Sequence, residues 1–289
     1  MPNTIALAKN YTSILDEVYM NASVTADLTS DSTMVRAGAN ANEIVYPQIA
    51  VSGLGDYSRN SGYTNGSVNL EWKTATFNYD RGTKISVDVM DNEESRDIAF
   101  TMAGSELMRT KVAPEADAFT FATLAGIEGI SKAIPATYAD ATAFLSALIE
   151  AKNKMDEDEV PEEGRILYAT PTLLNGVMAL DTIKSREILA SFAVTKKVPQ
   201  SRFYTAIDLL SGRDGEEAGH FKKATDGKDI NFMIVHKPAV IKFDKHTASD
   251  IIPASMNADA DADISKYRKY GIVDVFKNKV AGIYLSHKE

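Results

Sequence analysis

Residues 75–124 read ATFNYDRGTKISVDVMDNEESRDIAFTMAGSELMRTKVAPEADAFTFATL, and this stretch decides the fold. It opens with an alternation. Phe77, Tyr79, Ile85, Val87 and Val89 share one parity, while Thr76, Asn78, Asp80, Ser86 and Asp88 share the other. Successive side chains of a strand face opposite ways, so the spacing predicts a strand over residues 76–89 with one apolar and one wet face. Asp91 then stands three residues before Glu94, at the head of a helix-forming run. That spacing predicts a capping box, with Asp91 accepting an early backbone N–H and Glu94 reaching back to the cap. The helix is expected over residues 92–111 and should pause or bend at Pro114, which lacks an N–H and whose ring crowds the preceding turn. A second helical segment, residues 114–124, restarts with proline in its first turn and Glu115 and Asp117 near its positive end.

Outward from this stretch, residues 46–76 are rich in Gly, Asn, Ser and Tyr. Asn65-Gly66 is the strongest hairpin signal in the chain, because a type I′ turn needs positive φ at both central residues. The flanks 53–64 and 67–76 alternate imperfectly, which predicts a long two-stranded hairpin with a polar tip. Trp72, the only tryptophan, lies on it. Upstream, residues 5–18 read as a short amphipathic helix, followed by a polar, small-residue stretch too poor in apolar groups to build a core alone. Downstream, Phe144, Leu148, Ala151 and Met155 recur at helical spacing. The acidic run DEDEVPEE (156–163) reads as a solvated loop. RILYA (165–169) is a buried type of strand, and Thr170-Pro171 opens a short helix. INFMIVH (230–236) and AVIKF (239–243) read as a strand pair around Lys237-Pro238, and 271–276 with 280–285 as a hairpin around residues 277–279. Helices and strands in this order make an α+β chain.

Composition narrows the function. The chain has 289 residues, no cysteine and a formal net charge of −9. Disulfides, thiolate metal sites and a cysteine nucleophile are excluded. The charge argues against a surface whose main work is to neutralise phosphates. No run of about 18 apolar residues exists, so no helical membrane span is expected. Asp259, Asp261 and Asp263 have the beginning of a calcium loop, but Ile264 and Tyr270 occupy the positions of its turn glycine and closing acid. His220, His236, His246 and His287 have no helical metal spacing. There is no nucleophile elbow, phosphate loop or zinc-protease motif. No catalytic residue, cofactor or metal site is expected.

The order YDRG, VDVMDNEES, a helix, then APEADAF resembles the major capsid proteins of tailed phages, in look those of siphophages. The residues that carry the resemblance are Tyr79, Asp80, Arg81, Asp88, Asp91, Pro114, Glu115, Asp117 and Phe119. The blocks FMIVHKPAVI and ADA…YRKY…VFKNKVAGIY extend it towards the C-terminus. The resemblance implies the Hong Kong 97-type fold, with an N-terminal arm (1–45), an extension-loop hairpin (46–76), a peripheral domain with a long spine helix (77–160), an axial domain (161–250) and C-terminal strands (251–289). It implies inter-subunit contact through Tyr57, Arg59, Tyr63, Asn65, Gly66 and Trp72. It places Asp91, Glu94, Pro114, Glu115 and Asp117 on the spine helix. It implies self-assembly, without enzymatic chemistry, into pentamers and hexamers of an icosahedral head that encloses double-stranded DNA without sequence preference. The resemblance implies either a separate scaffolding protein or a chain that needs none, with a portal and head-decoration proteins as further partners, and the virion, assembled in the bacterial host cytoplasm, is the implied location. An encapsulin-like cellular compartment shell and a soluble metabolic enzyme are the alternative readings.

Overall fold

A computed structural model describes residues 22–30, 36–37, 42–60, 62–94, 98–213 and 219–289. The helix expected over residues 5–18 lies outside the described residues. The chain divides into two compact units, Met1–Ser30 with Tyr79–Glu289, and Asp31–Asn78.

The smaller unit is a three-stranded antiparallel ribbon of β1 (Arg36–Ala37), β2 (Glu43–Val51) and β3 (Val68–Thr76). β2 and β3 stay in unbroken register from Glu43 opposite Thr76 to Val51 opposite Val68. One further rung, Ser52 N–H to the Ser67 carbonyl at 3.0 Å, extends the ladder. The chain does not reverse at Asn65-Gly66. The tight reversal is at Ser58 and Gly62, whose backbones exchange two hydrogen bonds, and it is Gly62 that holds positive φ (75°).

In the larger unit, β4 (Tyr79–Asp88) leads into α1 (Val89–Glu94) and α2 (Ile98–Leu107). A π turn, Met108–Val112, then joins α2 to α3 (Ala113–Gly126). The expected apolar parity of β4 is the covered one, since residues 79, 85 and 87 are less exposed than 80, 84, 86 and 88. The cap is displaced from the sequence expectation. Asp88, not Asp91, accepts the Met90 N–H at 2.9 Å, and Asp91 sits exposed in the first turn. The side chain of Glu94 lies outside the described residues. At Pro114 the chain stays helical, but the α pattern is interrupted just before it. The π turn bonds Ala113 N–H to the Met108 carbonyl, five residues back. The wider turn takes up the proline ring and its missing N–H without stopping the helix.

The remaining elements are β5 (Ser131–Lys132), α4 (Ala141–Glu157), β6 (Arg165–Ala169), α5 (Pro171–Leu180), α6 (Ile183–Ala190), β7 (Val194–Lys197), β8 (Ile207–Leu209), β9 (Phe221–Lys223), β10 (Ile230–His236), β11 (Val240–Ile252), β12 (Ala262–Val275) and β13 (Ile283–His287). A five-stranded sheet runs β5-β13-β10-β6-β7. Every residue of β6 and β10 is buried, because both faces are covered. Parity divides the core in two. Ile166, Tyr168, Met233 and Val235 meet Phe121 and Leu124 of α3 on one face. Leu167, Phe232 and Ile234 meet Phe144, Leu148 and Met155 of α4 on the other. α4 starts where the side chain of Asp140 accepts the Ala143 N–H at 2.7 Å.

The second sheet, β11-β12-β4, is antiparallel and long. The two C-terminal hairpins expected from sequence do not form. β10 and β11 belong to different sheets, and so do β12 and β13. Short 3-10 turns at Lys237–Ala239 and Lys277–Gly282 carry the chain across each time. The turns lie against each other, with Phe276 N–H donating to the Ala239 carbonyl at 3.0 Å and Lys279 Nζ to the Pro238 carbonyl at 3.3 Å. Two apolar runs joined by a short polar turn look like a hairpin locally. Burial decides otherwise, because β10 needs cover on both faces and most of β11 beyond Phe243 is exposed. Asp259 and Asp261 lie in the loop that leads into β12. Among the described residues no helix is long and apolar enough to cross a membrane.

Candidate functional site

Glu115 and Asp117 sit two residues apart on α3 and engage different parts of the larger unit. Asp117 is fully buried. Its carboxylate accepts hydrogen bonds from Ser23 Oγ (2.8 Å), Val24 N–H (3.0 Å), Thr25 N–H (3.1 Å) and Thr25 Oγ1 (2.7 Å), and from Arg202 Nη1 at 3.0 Å. A buried charge is tolerated only when it is paired and hydrogen-bonded, and here each oxygen is engaged. Lys242 closes the same cluster from β11, donating to the Thr25 carbonyl (2.8 Å) and Thr25 Oγ1 (2.7 Å). Burial drives the Lys242 ammonium down to about 8, with Asp117 opposing the fall. Ser30 pairs with β11 through its N–H to the Lys242 carbonyl at 2.8 Å, and Leu28 enters the core. Residues 22–30 are thereby strapped across α3 and β11.

Glu115 binds forward to the start of β4. It accepts from Tyr79 Oη (3.2 Å) and, in a two-pronged pair, from Arg81 Nε (2.7 Å) and Nη2 (3.2 Å). Arg81 Nη2 also donates to the carbonyl of His220, a residue with φ of 70°. Burial pushes the Glu115 carboxyl up, and His220 and Arg81 beside it more than offset this, holding it below the usual carboxylate range. Arg81 is the firmer of the two, since His220 Nδ1 lies 3.5 Å away. Tyr79 also packs on Phe119 with ring centroids 4.9 Å apart, and Asp80 takes a bidentate bond from Arg268 at 2.9 and 2.7 Å. Gly82 belongs to the same motif for steric reasons, because a Cβ there would stand 2.8 Å from the Tyr267 carbonyl. The residues quoted from YDRG and APEADAF thus anchor three separate contacts, Tyr79 and Arg81 at Glu115, Asp80 at Arg268, and Asp117 at the strap, with Asp91 outside them. The partners of Asp117 were not readable in sequence. Ser23 and Thr25 stand more than 90 positions from Asp117, and Arg202 and Lys242 are ordinary basic residues until folding buries or pairs them.

The ribbon is the opposite kind of surface. Directly paired residues on antiparallel strands share a face. Pro47 with Trp72, Ile49 with Leu70, and Val51 with Val68 therefore form one apolar face, and all six are exposed. Gln48 opposite Glu71 and Ala50 opposite Asn69 make the reverse face more polar. Beyond the ladder, the rings of Tyr57 and Tyr63 pack at a tilt, with centroids 4.9 Å apart, beside the Ser58–Gly62 reversal. Tyr57, Arg59, Tyr63, Asn65, Gly66 and Trp72 are all exposed, spread over loop and strand and not gathered at one point. Eight of the fifteen exposed large hydrophobic residues among those described belong to this unit. Among the described residues no cluster of His, Cys, Asp and Glu is arranged to hold a metal ion.

No family model matches the chain, and no curated protein matches it in sequence. Solved structures do match its fold. A structure of Mycobacterium phage Che8 superposes with a TM-score of 0.60 at 13% identity, covering 91% of this chain and 90% of that one. The capsid structure of the cyanophage P-SCSP1u gives 0.61 at 14% identity, covering 93% and 88%. A virus-like particle from Pyrococcus furiosus gives 0.58 at 11% identity, covering 97% and 99%. At such identities the likeness is one of fold, and the fold is the α+β, Hong Kong 97-type capsid fold expected from the sequence.

Proposed function

We propose that this chain is a shell subunit, the major capsid protein of a tailed phage or prophage, and that its work is self-association. The observation that carries the reading is the exposed apolar face of the ribbon on a chain with a capsid fold. A lone ribbon is marginal in water, and an apolar patch of this extent marks an interaction site. Covering Ile49, Leu70 and Trp72 is worth about 2 kcal/mol each, and in this reading a neighbouring subunit supplies the cover. The ribbon is then the extension loop, and Tyr57, Arg59, Tyr63, Asn65, Gly66 and Trp72 are its contacts. Residues 77–160 with the long helix form the peripheral domain, residues 161–250 the axial domain, and residues 1–45 an arm whose proximal end is the strap at Asp117. Pentamers and hexamers would build a head around double-stranded DNA, which a wall of net charge −9 does not grip. Scaffolding, portal and decoration proteins are the fitting partners, and the virion is the location.

Negative-stain microscopy and sedimentation of the purified chain test this. Closed particles or ring-shaped capsomers are expected. A monomer at every concentration and salt, with the scaffold of its phage added, overturns the reading. A second reading, an encapsulin-like cellular compartment, is favoured by the match that spans 97% of this chain and 99% of the Pyrococcus furiosus particle subunit. Particle contents separate the two, since packaged DNA supports the first and co-purifying cargo protein the second.

A further inference from the structure

The outer face of the β11-β12-β4 sheet sets two lysines directly side by side. β4 and β12 pair so that Lys84 lies directly opposite Lys266. Both are exposed, and neither forms an ion pair among the described residues. Like charges in direct cross-strand opposition are destabilising. Arg268 stands two residues further along the same face and is engaged with Asp80. Asp250 on β11 stands directly opposite Lys266 on its other side and forms no ion pair to it, so it offsets only part of the charge and Lys84 faces no acid in register.

The same hairpin carries the opposite charge at its far end. Asp259 and Asp261, in the loop between β11 and β12, are exposed, and neither forms an ion pair among the described residues. Beside them Met256 is 75% exposed. The loop is held in shape, with Asn257 Nδ2 donating to the Ala262 carbonyl at 3.0 Å, Asp259 N–H to Asn257 Oδ1 at 3.2 Å, and Ala254 N–H to Asp263 Oδ1 at 2.9 Å. A preorganised loop gives up little entropy on binding. It cannot fold back on its own lysines. Ala262, next to Asp261, pairs with Asp88, four residues from Lys84, and at about 3.4 Å per residue that is roughly 14 Å of strand.

We infer that the Lys84–Lys266 pair receives the Asp259–Asp261 loop of a second copy of this chain. The contact joins two different patches head to tail. Repeated between identical copies, such a contact closes into a ring or continues as a chain. It rests on the self-association reading above but uses a surface separate from the apolar ribbon, and charge gives it direction, since tip cannot meet tip nor base meet base.

The experiment reverses each side and then both. Lys84→Glu with Lys266→Glu, and separately Asp259→Lys with Asp261→Lys, should each lower the self-association constant about tenfold in low salt. All four changes in one chain should recover most of the loss. Sedimentation velocity reads association, circular dichroism confirms that every variant is folded, and raised salt should shrink the differences. Single-side reversals that associate like the unaltered chain overturn the inference. So does a fourfold variant no better than its parents, which would mean that the lysines meet some other acid. A lysine reversal that weakens only binding to added DNA also overturns it. Charge-dependent association without a closed shell would sink the shell reading and leave this contact standing. A shell indifferent to the reversals would do the opposite.

Discussion

β10 and the β2–β3 ribbon are built from similar residues and end in opposite states. β10, INFMIVH, is buried at all seven positions between α3 on one face and α4 on the other. The outer ends of β2 and β3, with Ile49, Val51, Val68, Leu70 and Trp72, are exposed. Apolar content alone does not decide burial. What decides it is whether the chain supplies a covering layer. β10 is stabilised by its own chain, whereas the ribbon's apolar face can be stabilised only by something outside it. Changes near the core should therefore be felt by an isolated subunit, and changes on the ribbon chiefly by an assembly.

The largest effect is expected at Asp117. Asp117→Asn keeps the shape of the side chain and removes the charge that Arg202 faces at 3.0 Å. Breaking a buried pair by removing one partner leaves the other uncompensated, and about 3 kcal/mol of subunit stability should be lost. Urea unfolding of unassembled subunits measures it. A loss near zero would show that residues 22–30 are not held by this carboxylate.

Lys242 sharpens the same side of the comparison through pH. Its pKa is depressed to about 8 by burial, so in the folded chain it gives up its proton before the unfolded chain does. Between about pH 8 and the unfolded lysine value near 10.4, the unfolded state binds more protons, and this group's contribution to stability rises with pH. Over that window the gain is about 3 kcal/mol. Melting of the unaltered chain should therefore rise relative to Lys242→Met from pH 8 to pH 10. Parallel curves would mean that Lys242 is solvated.

These two sites also show what the sequence could and could not disclose. The periodicities of β4 and α4 and the buried composition of β6 and β10 are local facts, and those elements are where the residues place them. Motif order carried the fold and pointed at Glu115 and Asp117. Pairing was not local. The turns at Lys237–Ala239 and Lys277–Gly282 look like hairpin turns until the two-sided cover of β10 is known. The π turn before Pro114 has no signature in residue types, and Asp91 is as good a cap by composition as Asp88. Thr25 and Lys242 become a cluster only because the strap crosses both α3 and β11.

On the ribbon, Leu70→Asp with Trp72→Ala should cost isolated subunits about 1 kcal/mol, well below the Asp117 change, since both side chains are about half exposed. Assembly should suffer more. Interface anchors such as tryptophan commonly cost about 2 kcal/mol or more when truncated, so the concentration needed for particles should rise by tenfold or more. Equal assembly would show that this face is not covered in the particle.

The smallest effect concerns two glycines of the ribbon loop. Gly62 holds φ of 75° at the reversal where Ser58 and Gly62 exchange backbone bonds, and a Cβ there would meet open space. Its cost on substitution is therefore conformational, about 1 kcal/mol for a residue forced to positive φ. Gly66 is not in that region, and a Cβ there would lie 3.1 Å from Ser52 Oγ, the end of a side chain that also accepts the Ser67 N–H at 2.8 Å. The cost at Gly66 is a small displacement of one hydroxyl, well under 1 kcal/mol for an exposed position. Hydrogen exchange at Gly62 and Ser67 reads the two changes separately. Gly62→Val should speed exchange of the Gly62 amide about fivefold, and Gly66→Val should alter only Ser67. If Gly66→Val instead opened the whole loop, the turn at Asn65-Gly66 would be what holds it, and the Ser58–Gly62 reversal would not set its shape.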